Sequence, residues 1–467
     1  MRPPNWVIVL ACIVPFLGWW AYGLFDLDEG FYAAVVSDML RRGDWITPTY
    51  NGVPWFEKPI LAYWLAMPSV LALGQEIGPR LPSVLATLAT AWMLSRFAAK
   101  NYGQTAGLVV PIVYCSSLLP LGLGRMMMTD APLVAALTAG LLVTWRSFGE
   151  GSRARSFSRG LAGVAVGLSV LAKGPVGLVL FVGIVVWLAF VCAESRPGVA
   201  RGWLWFVVAF AAVVATWYVP CYLANGQEFV QEFLIEQNIG RFTGGDRAHA
   251  VPAWAHAIYY LLILIAGMLP FWPFAIRRMF KRGAQVDDFL LAWAVVVLAF
   301  FTVSGTKLPH YILPAVPPLV LLIGKALATK IDAAGPVGWR WLLVWPVAAC
   351  ALANVVFFHD WNVRMREVQS LARYASGKNA GLVVYRIGRE GGPGTGSLQL
   401  QDTSHPSALF YFGGIATMTD EPDDLSRERL PYFVLTRAGR WNPPSGWKAS
   451  PAPVRQEEYR LFLVEGR

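Results

Sequence analysis

The sequence predicts an all-α polytopic membrane protein with a small soluble α/β domain at its C-terminal end, and three observations carry that reading. Hydrophobic residues make up 56% of the 467 and charged residues only 15%, whereas a soluble domain carries roughly 25% charged residues. The mean hydropathy is +0.47. Apolar runs near the ~20 residues needed to cross a bilayer recur throughout residues 6–358. Beyond His359 the apolar runs shorten to strand length, between Pro- and Gly-rich turns.

About eleven transmembrane helices are expected: 6–24, 80–99, 105–122, 130–148, 159–172, 175–192, 202–221, 256–276, 288–305, 309–328 and 339–358. The two runs flanking Lys173-Gly174-Pro175 are short and read equally as one kinked span. The first run lacks an A-x-A cleavage site and precedes further spans, so it reads as a retained helix. Basic residues, which collect in cytoplasmic loops, test the count. With a cytoplasmic N-terminus the inner loops hold Arg96, Lys100, Arg146, Arg153, Arg155, Arg159, Arg196, Arg201, the cluster Arg277–Arg282, Lys325, Lys330 and Arg340. The outer face then collects Asp26, Asp28, Glu29, Asp38, Asp44, Glu57 and Glu76, with fewer basic residues, Arg125, Lys173, Arg241, Arg247 and Lys307, mostly next to short motifs. The net charge of +10 is therefore a topology signal, not a nucleic-acid footprint. The chain divides into a membrane module, 1–358, with outer loops 25–79 and 222–255, and a soluble domain, 359–467. The five cysteines lie in or beside apolar segments without metal spacing and read as small buried hydrophobes.

The outer loop after the first span is rich in chemistry-bearing residues. Phe31, Val35 and Met39 share one helical stripe, with Tyr32, Val36 and Leu40 beside it, so 29–42 reads as a short amphipathic helix. Asp28 is placed to cap its start and Gly43 to stop it. A carboxylate at a membrane face can also take a proton from an acceptor hydroxyl or hold a divalent cation, so Asp28 and Glu29 carry both readings. Glu57-Lys58-Pro59 is either a surface ion pair or an ammonium placed for a lipid phosphate.

Further along, Arg125 and Asp130 bracket a helix mouth, where Asp130 could simply serve the first helical turn. Lys173 interrupts an apolar stretch, and ionisable groups at membrane depth cost roughly 2.5–3.5 kcal/mol on insertion scales, which favours an anion contact. Ser304–Pro314 adds Lys307, His310 and Tyr311 between two spans. In the 222–255 loop, Phe229, Phe233 and Ile235 predict a short helix ending near Gly240, followed by a Gly-rich polar piece, Arg241 to His249, expected to move as a lid. His249 and His256 lack an HxxxH or HxxH partner. The Gly-rich Gly391–Ser397 lacks the lysine of a phosphate loop and reads as a turn. Strands are expected at Gly381–Ile387, Tyr432–Arg437 and Tyr459–Val464.

The motif order D-E-x-x-Y-A, G-D-W-x-x-P-x-x-N-G-x-P-x-x-E-K-P, R-L-P-S, K-G-P and T-K-L-P-x-Y-x-L-P resembles bacterial GT-C glycosyltransferases. The likeness is to the group of the lipid A aminoarabinose transferase and the dolichyl-phosphate-mannose protein mannosyltransferases, and it runs from about Asp28 to Pro318. It implies a bacterial inner-membrane enzyme working at the periplasmic face. The enzyme would move a sugar, with inversion, from a polyprenyl-phosphate donor to a lipid A-type lipid, a glycan or a protein. Asp28, Glu29 and Asp130 would be catalytic. Lys58, Arg241, Lys173 and Lys307 would contact the donor phosphate, and Tyr32, Arg125, His310 and Tyr311 would line the acceptor cavity.

Glu57 would help hold a divalent metal ion; no nucleotide cofactor is implied. Gln237 stands where the aminoarabinose transferases have a histidine, which leaves His249 as the substitute metal ligand. The competing class is a transporter or flippase for lipid-linked sugars. That class expects charges deep in several helices and a repeat between halves, neither of which is evident.

Overall fold

The computed structural model describes residues 2–26, 28–149, 151–191, 202–240, 256–273, 285–358, 360–387, 405–454 and 456–467. Contacts divide the chain into two compact units. The first comprises Met1–Leu17, Glu57–Ala62 and Pro82–Asn354; the second comprises Gly18–Phe56, Tyr63–Leu81 and Val355–Arg467. The loop around 25–79 thus falls largely in the same unit as the C-terminal residues.

The first unit is a helical bundle. Among the described residues, Trp203–Gly240, Gln285–Val303, Pro309–Ala334 and Pro336–Phe357 are long and apolar enough to cross a membrane. A fifth span results if Gln104–Ser116 and Leu118–Gly124, bent by 64°, count as one. Shorter apolar helices occupy Asn5–Phe16, Val176–Phe190 and Ile258–Gly267. The chain is a multi-pass membrane protein.

The expected first span stops early. Helix Asn5–Ile13 tightens into a 3₁₀ turn at Val14–Phe16, whose Pro15 cannot continue an α-helical ladder, and Leu17 turns out at ψ 136°. The ambiguity at Lys173-Gly174-Pro175 resolves into two helices, Ser152–Lys173 and Val176–Val191, separated by Gly174 at φ +87°. Helix Trp203–Phe229 breaks at Gly226 and continues as a wider π-helical stretch, Val230–Gly240, ending where the sequence placed its stop. The following residues, including Arg241 and His249, lie outside those described.

Small residues let three helices approach closely. A methyl group on Gly163 would lie 2.3 Å from the Phe206 carbonyl oxygen, and one on Gly140 would lie 2.8 Å from Val166. Helix Ser152–Lys173 is thereby wedged between Asp130–Ser147 and Trp203–Phe229, the small-residue packing used where water does not drive helix association. Cys12, Cys115 and Cys221 are buried free thiols, as expected of small hydrophobes.

The second unit contains helix Asp28–Arg42, the hairpin Thr49–Tyr50/Val53–Pro54, helix Leu61–Ile77 from Tyr63 onward, and a five-stranded mixed sheet. The hairpin turns at Asn51-Gly52 with φ +52° and +82°, the geometry that Asn-Gly adopts readily. Strand order in the sheet is Ala416–Thr419, Gly381–Tyr385, Tyr432–Arg437, Tyr459–Gly466, Lys448–Pro451. The first two pairings are parallel and the last two antiparallel. Asn51 joins the hairpin to the edge strand: its Nδ2 donates to the Ala416 carbonyl (2.8 Å) and its Oδ1 accepts from the Ala416 amide (3.0 Å).

Candidate functional site

Helix Asp130–Ser147 begins with an acidic residue and has Pro132 in its first turn, both suited to the positive end of a helix. Asp130 is 1% exposed. Its Oδ1 accepts from Lys173 Nζ at 2.5 Å, while its Oδ2, also buried, has no hydrogen-bond partner among the described residues. Lys173 closes helix Ser152–Lys173, where a cation meets the negative end of the helix dipole. Its Nζ lies 4.6 Å from the Tyr311 ring centroid, within cation–π range. The next residue, Gly174, presses against Asn238 in the π-helical stretch: a methyl group there would lie 2.8 Å from Asn238 Oδ1. Residues far apart in sequence therefore converge on one point of the first unit.

The other cations of that unit are differently employed. Lys307 is 2% exposed, and its Nζ donates to the carbonyls of Phe301 and Thr302 (2.9 Å each) and of Ser304. Those three bonds use its three N–H donors and close the C-terminal turn of helix Gln285–Val303. Arg125 is fully buried; it donates to the Pro15 carbonyl (2.8 Å) and to Asn354 Oδ1 (2.7 Å). Glu57 and Lys58 pair at 2.9 Å and are both largely buried. His310 packs edge-on against Tyr311. Among the described residues no group of three or more His, Cys, Asp and Glu gathers, and Glu57 is engaged by Lys58. The metal expectation thus rests on His249, outside those residues.

In the second unit, Asp28 opens helix Asp28–Arg42 and is exposed, whereas the neighbouring Glu29 is fully buried. Arg80 grips Glu29 with two bonds, Nε to Oε1 at 2.8 Å and Nη2 to Oε2 at 2.7 Å. It also donates to the carbonyls of Trp19, Tyr22 and Gly23. Glu29 Oε2 further accepts from the Phe25 amide at 2.9 Å. Beside this pair Asp26 is bound by His405 Nδ1 (2.9 Å) and the Ser407 amide (2.7 Å). Tyr32 is buried, its ring 6.2 Å from that of Tyr63. Arg80 is the residue that sequence reasoning left without a role, although a charge between Pro79 and Leu81 at the head of an apolar run was a signal.

Comparison with known proteins agrees with this architecture. The family model for dolichyl-phosphate-mannose-protein mannosyltransferase matches residues 7–234. An undecaprenyl phosphate-α-4-amino-4-deoxy-L-arabinose arabinosyl transferase of Pseudomonas aeruginosa is 31% identical over 353 residues, which cover 72% of this chain. The chain is similar to these glycosyltransferases. Its fold matches that of ArnT from Cupriavidus metallidurans, solved with bound undecaprenyl phosphate, at a TM-score of 0.77 and 19% identity, over 98% of this chain and 97% of that one. The archaeal oligosaccharyltransferase AglB of Archaeoglobus fulgidus shares the fold more distantly, at a TM-score of 0.52 and 13% identity over 93% of this chain and 69% of that one. The match to the Pseudomonas relative spans 62% of that protein's own length.

Proposed function

We propose that this chain is a GT-C glycosyltransferase that transfers one sugar from a polyprenyl-phosphate donor to a lipid A-type acceptor at the periplasmic face of a bacterial inner membrane, in a bundle of about eleven spans. The observation that carries the reading is the convergence of Asp130, Lys173 and Tyr311, drawn from separate motifs, on one point beside Asn238. It is supported by the arabinosyl transferase relative and by the whole-chain likeness to ArnT, whose bound lipid is undecaprenyl phosphate.

In the proposed reaction the acceptor oxygen attacks the anomeric carbon, the bond from that carbon to the phosphate oxygen breaks, and the configuration inverts. Asp28, exposed at the head of its helix, takes the acceptor proton. Lys58 and Arg241 offset charge on the departing polyprenyl phosphate, with Lys173 held ready by Asp130. Glu29 acts as a positioning residue through Arg80, and Lys307 and Arg125 hold the helix ends and turns to which they are bonded. Tyr32, His310 and Tyr311 are assigned to the acceptor by the family resemblance. A divalent cation at Glu57 and His249 is a separate arm of the proposal.

The test is sugar transfer in membranes supplied with undecaprenyl-phosphate aminoarabinose and lipid A. Asp28→Asn is expected to lose 10²–10⁴-fold, the usual contribution of a general base, with Lys58→Ala raising the donor KM. Transfer at wild-type rate by both variants overturns the assignment. Transfer insensitive to chelation removes the metal arm alone.

A further inference from the structure

We infer that the end of the helical bundle opposite Asp130 holds a binding site for an anionic phospholipid. A cavity of about 1000 Å³ opens there between the C-terminal ends of helices Leu81–Tyr102, Asp130–Ser147 and Val176–Val191 and the start of Gln285–Val303. Arg146 at its edge lies sixteen residues along the same helix as Asp130, about 24 Å away at 1.5 Å per residue. The site is therefore separate from the cluster around Lys173.

Its lining has the two halves of an amphiphile. Phe97, Trp145 and Leu188 supply apolar wall, while Arg96, Lys100 and Arg146 supply positive charge. Arg96 and Lys100 stand one helical turn apart, are exposed, and make no ion pair among the described residues. Asp287, in the first turn of helix Gln285–Val303, is already bound by Lys325 (2.6 Å) and by the Tyr102 hydroxyl (2.7 Å). A free inorganic anion would leave the apolar wall uncovered, and a zwitterionic lipid brings no net charge to meet the cations. A lipid phosphate between Arg96 and Lys100, with acyl chain along Phe97 and Leu188, satisfies both. Basic pockets between membrane helices recognise anionic headgroups in this way.

Native mass spectrometry of the purified full chain in non-ionic detergent, titrated with phosphatidylglycerol or phosphatidylcholine, tests the site. Phosphatidylglycerol is expected to bind with at least tenfold preference. Arg96→Gln and Lys100→Gln should each weaken it about fivefold, from about 1 kcal/mol per basic group near a lipid surface. Arg153→Gln, an exposed basic position outside the cavity, should leave it unchanged. Equal affinity of the wild-type chain for the two lipids overturns the proposal without reference to any variant. So does retention of the preference in the Arg96→Gln/Lys100→Gln chain. Displacement of phosphatidylglycerol by millimolar inorganic phosphate, with the same sensitivity to these variants, would identify an inorganic-anion site instead.

Discussion

Replacing Arg80 by methionine strikes the most completely satisfied charge in the second unit. The guanidinium has five N–H donors, and five bonds of 2.7–2.9 Å take them up: two to Glu29 and three to the carbonyls of Trp19, Tyr22 and Gly23. Both partners of the ion pair are 0% exposed. Removing the arginine strands a buried carboxylate, which costs about 3–5 kcal/mol, and the three released carbonyls push the loss to the upper end of that range. Such a loss is a large share of the roughly 5–15 kcal/mol that holds a typical domain folded.

Glu29→Gln/Arg80→Met removes both charges and should recover at least 2 kcal/mol relative to the sum of the single replacements, since the two side chains share their bonds. Denaturant titration of the purified chain in mild detergent, followed by tryptophan fluorescence, measures the cycle. An Arg80→Met chain within 1 kcal/mol of wild type, or strictly additive losses, would refute the reasoning. The same double variant separates a positioning role for Glu29 from a chemical one. If it folds and transfers sugar at a rate near wild type, Glu29 only holds the loop. If it folds with a wild-type midpoint and is inactive, the positioning role is wrong.

Three further outcomes are expected. Gly174→Ala combines a positive φ, at a ψ of −165° that essentially only glycine adopts, with a 2.8 Å approach to Asn238, and should lower stability by about 1–3 kcal/mol; adding Asn238→Ala should restore only part of it in thermal unfolding. Lys307→Met should cost about 1–3 kcal/mol by uncapping the buried carbonyls at the end of helix Gln285–Val303, with donor KM close to wild type, whereas a rise in KM at unchanged stability would return Lys307 to the phosphate. At Asp38, burial pushes the carboxyl up, but hydrogen bonds from Arg41, Thr49 and the Gly52 amide outweigh it and hold the pKa below the ordinary carboxylate value. Its contribution, toward the lower end of the about 1.5–3 kcal/mol typical of hydrogen bonds to charged groups because solvent screens a partly exposed pair, is present above the ordinary carboxylate value and lost as pH falls through the lower folded value; Asp38→Asn should flatten acid unfolding in that window.

Much of the local structure was legible because its causes are local. The stripe through Phe31, Val35 and Met39 marked the helix now seen at Asp28–Arg42, and Gly43 marked its end. The strand runs near 381–387, 432–437 and 459–464 were visible as β-rich segments, and the end of the 230s helix fell at Gly240 as its glycine indicated. The strands Ala416–Thr419 and Lys448–Pro451 escaped notice, being four residues each and paired only at sheet edges, where little alternation is required. Hydropathy counts apolar residues without weighing the backbone, so it ran the first helix past Pro15 to residue 24.

The sequence by itself determined the membrane class and the motif order, because apolar length, charge asymmetry and ordered short motifs are properties of the linear chain. Partnership was decided only by tertiary structure. Lys173 and Asp130 stand 43 residues apart and Glu29 and Arg80 stand 51 apart, and no periodicity connects them. Whether a charge is available for chemistry or committed to the fold depends on which buried donors and acceptors the packing brings within 3 Å. Lys307, Arg125 and Glu29 have the composition of site residues, yet their bonds in the folded chain close helix turns and hold loops.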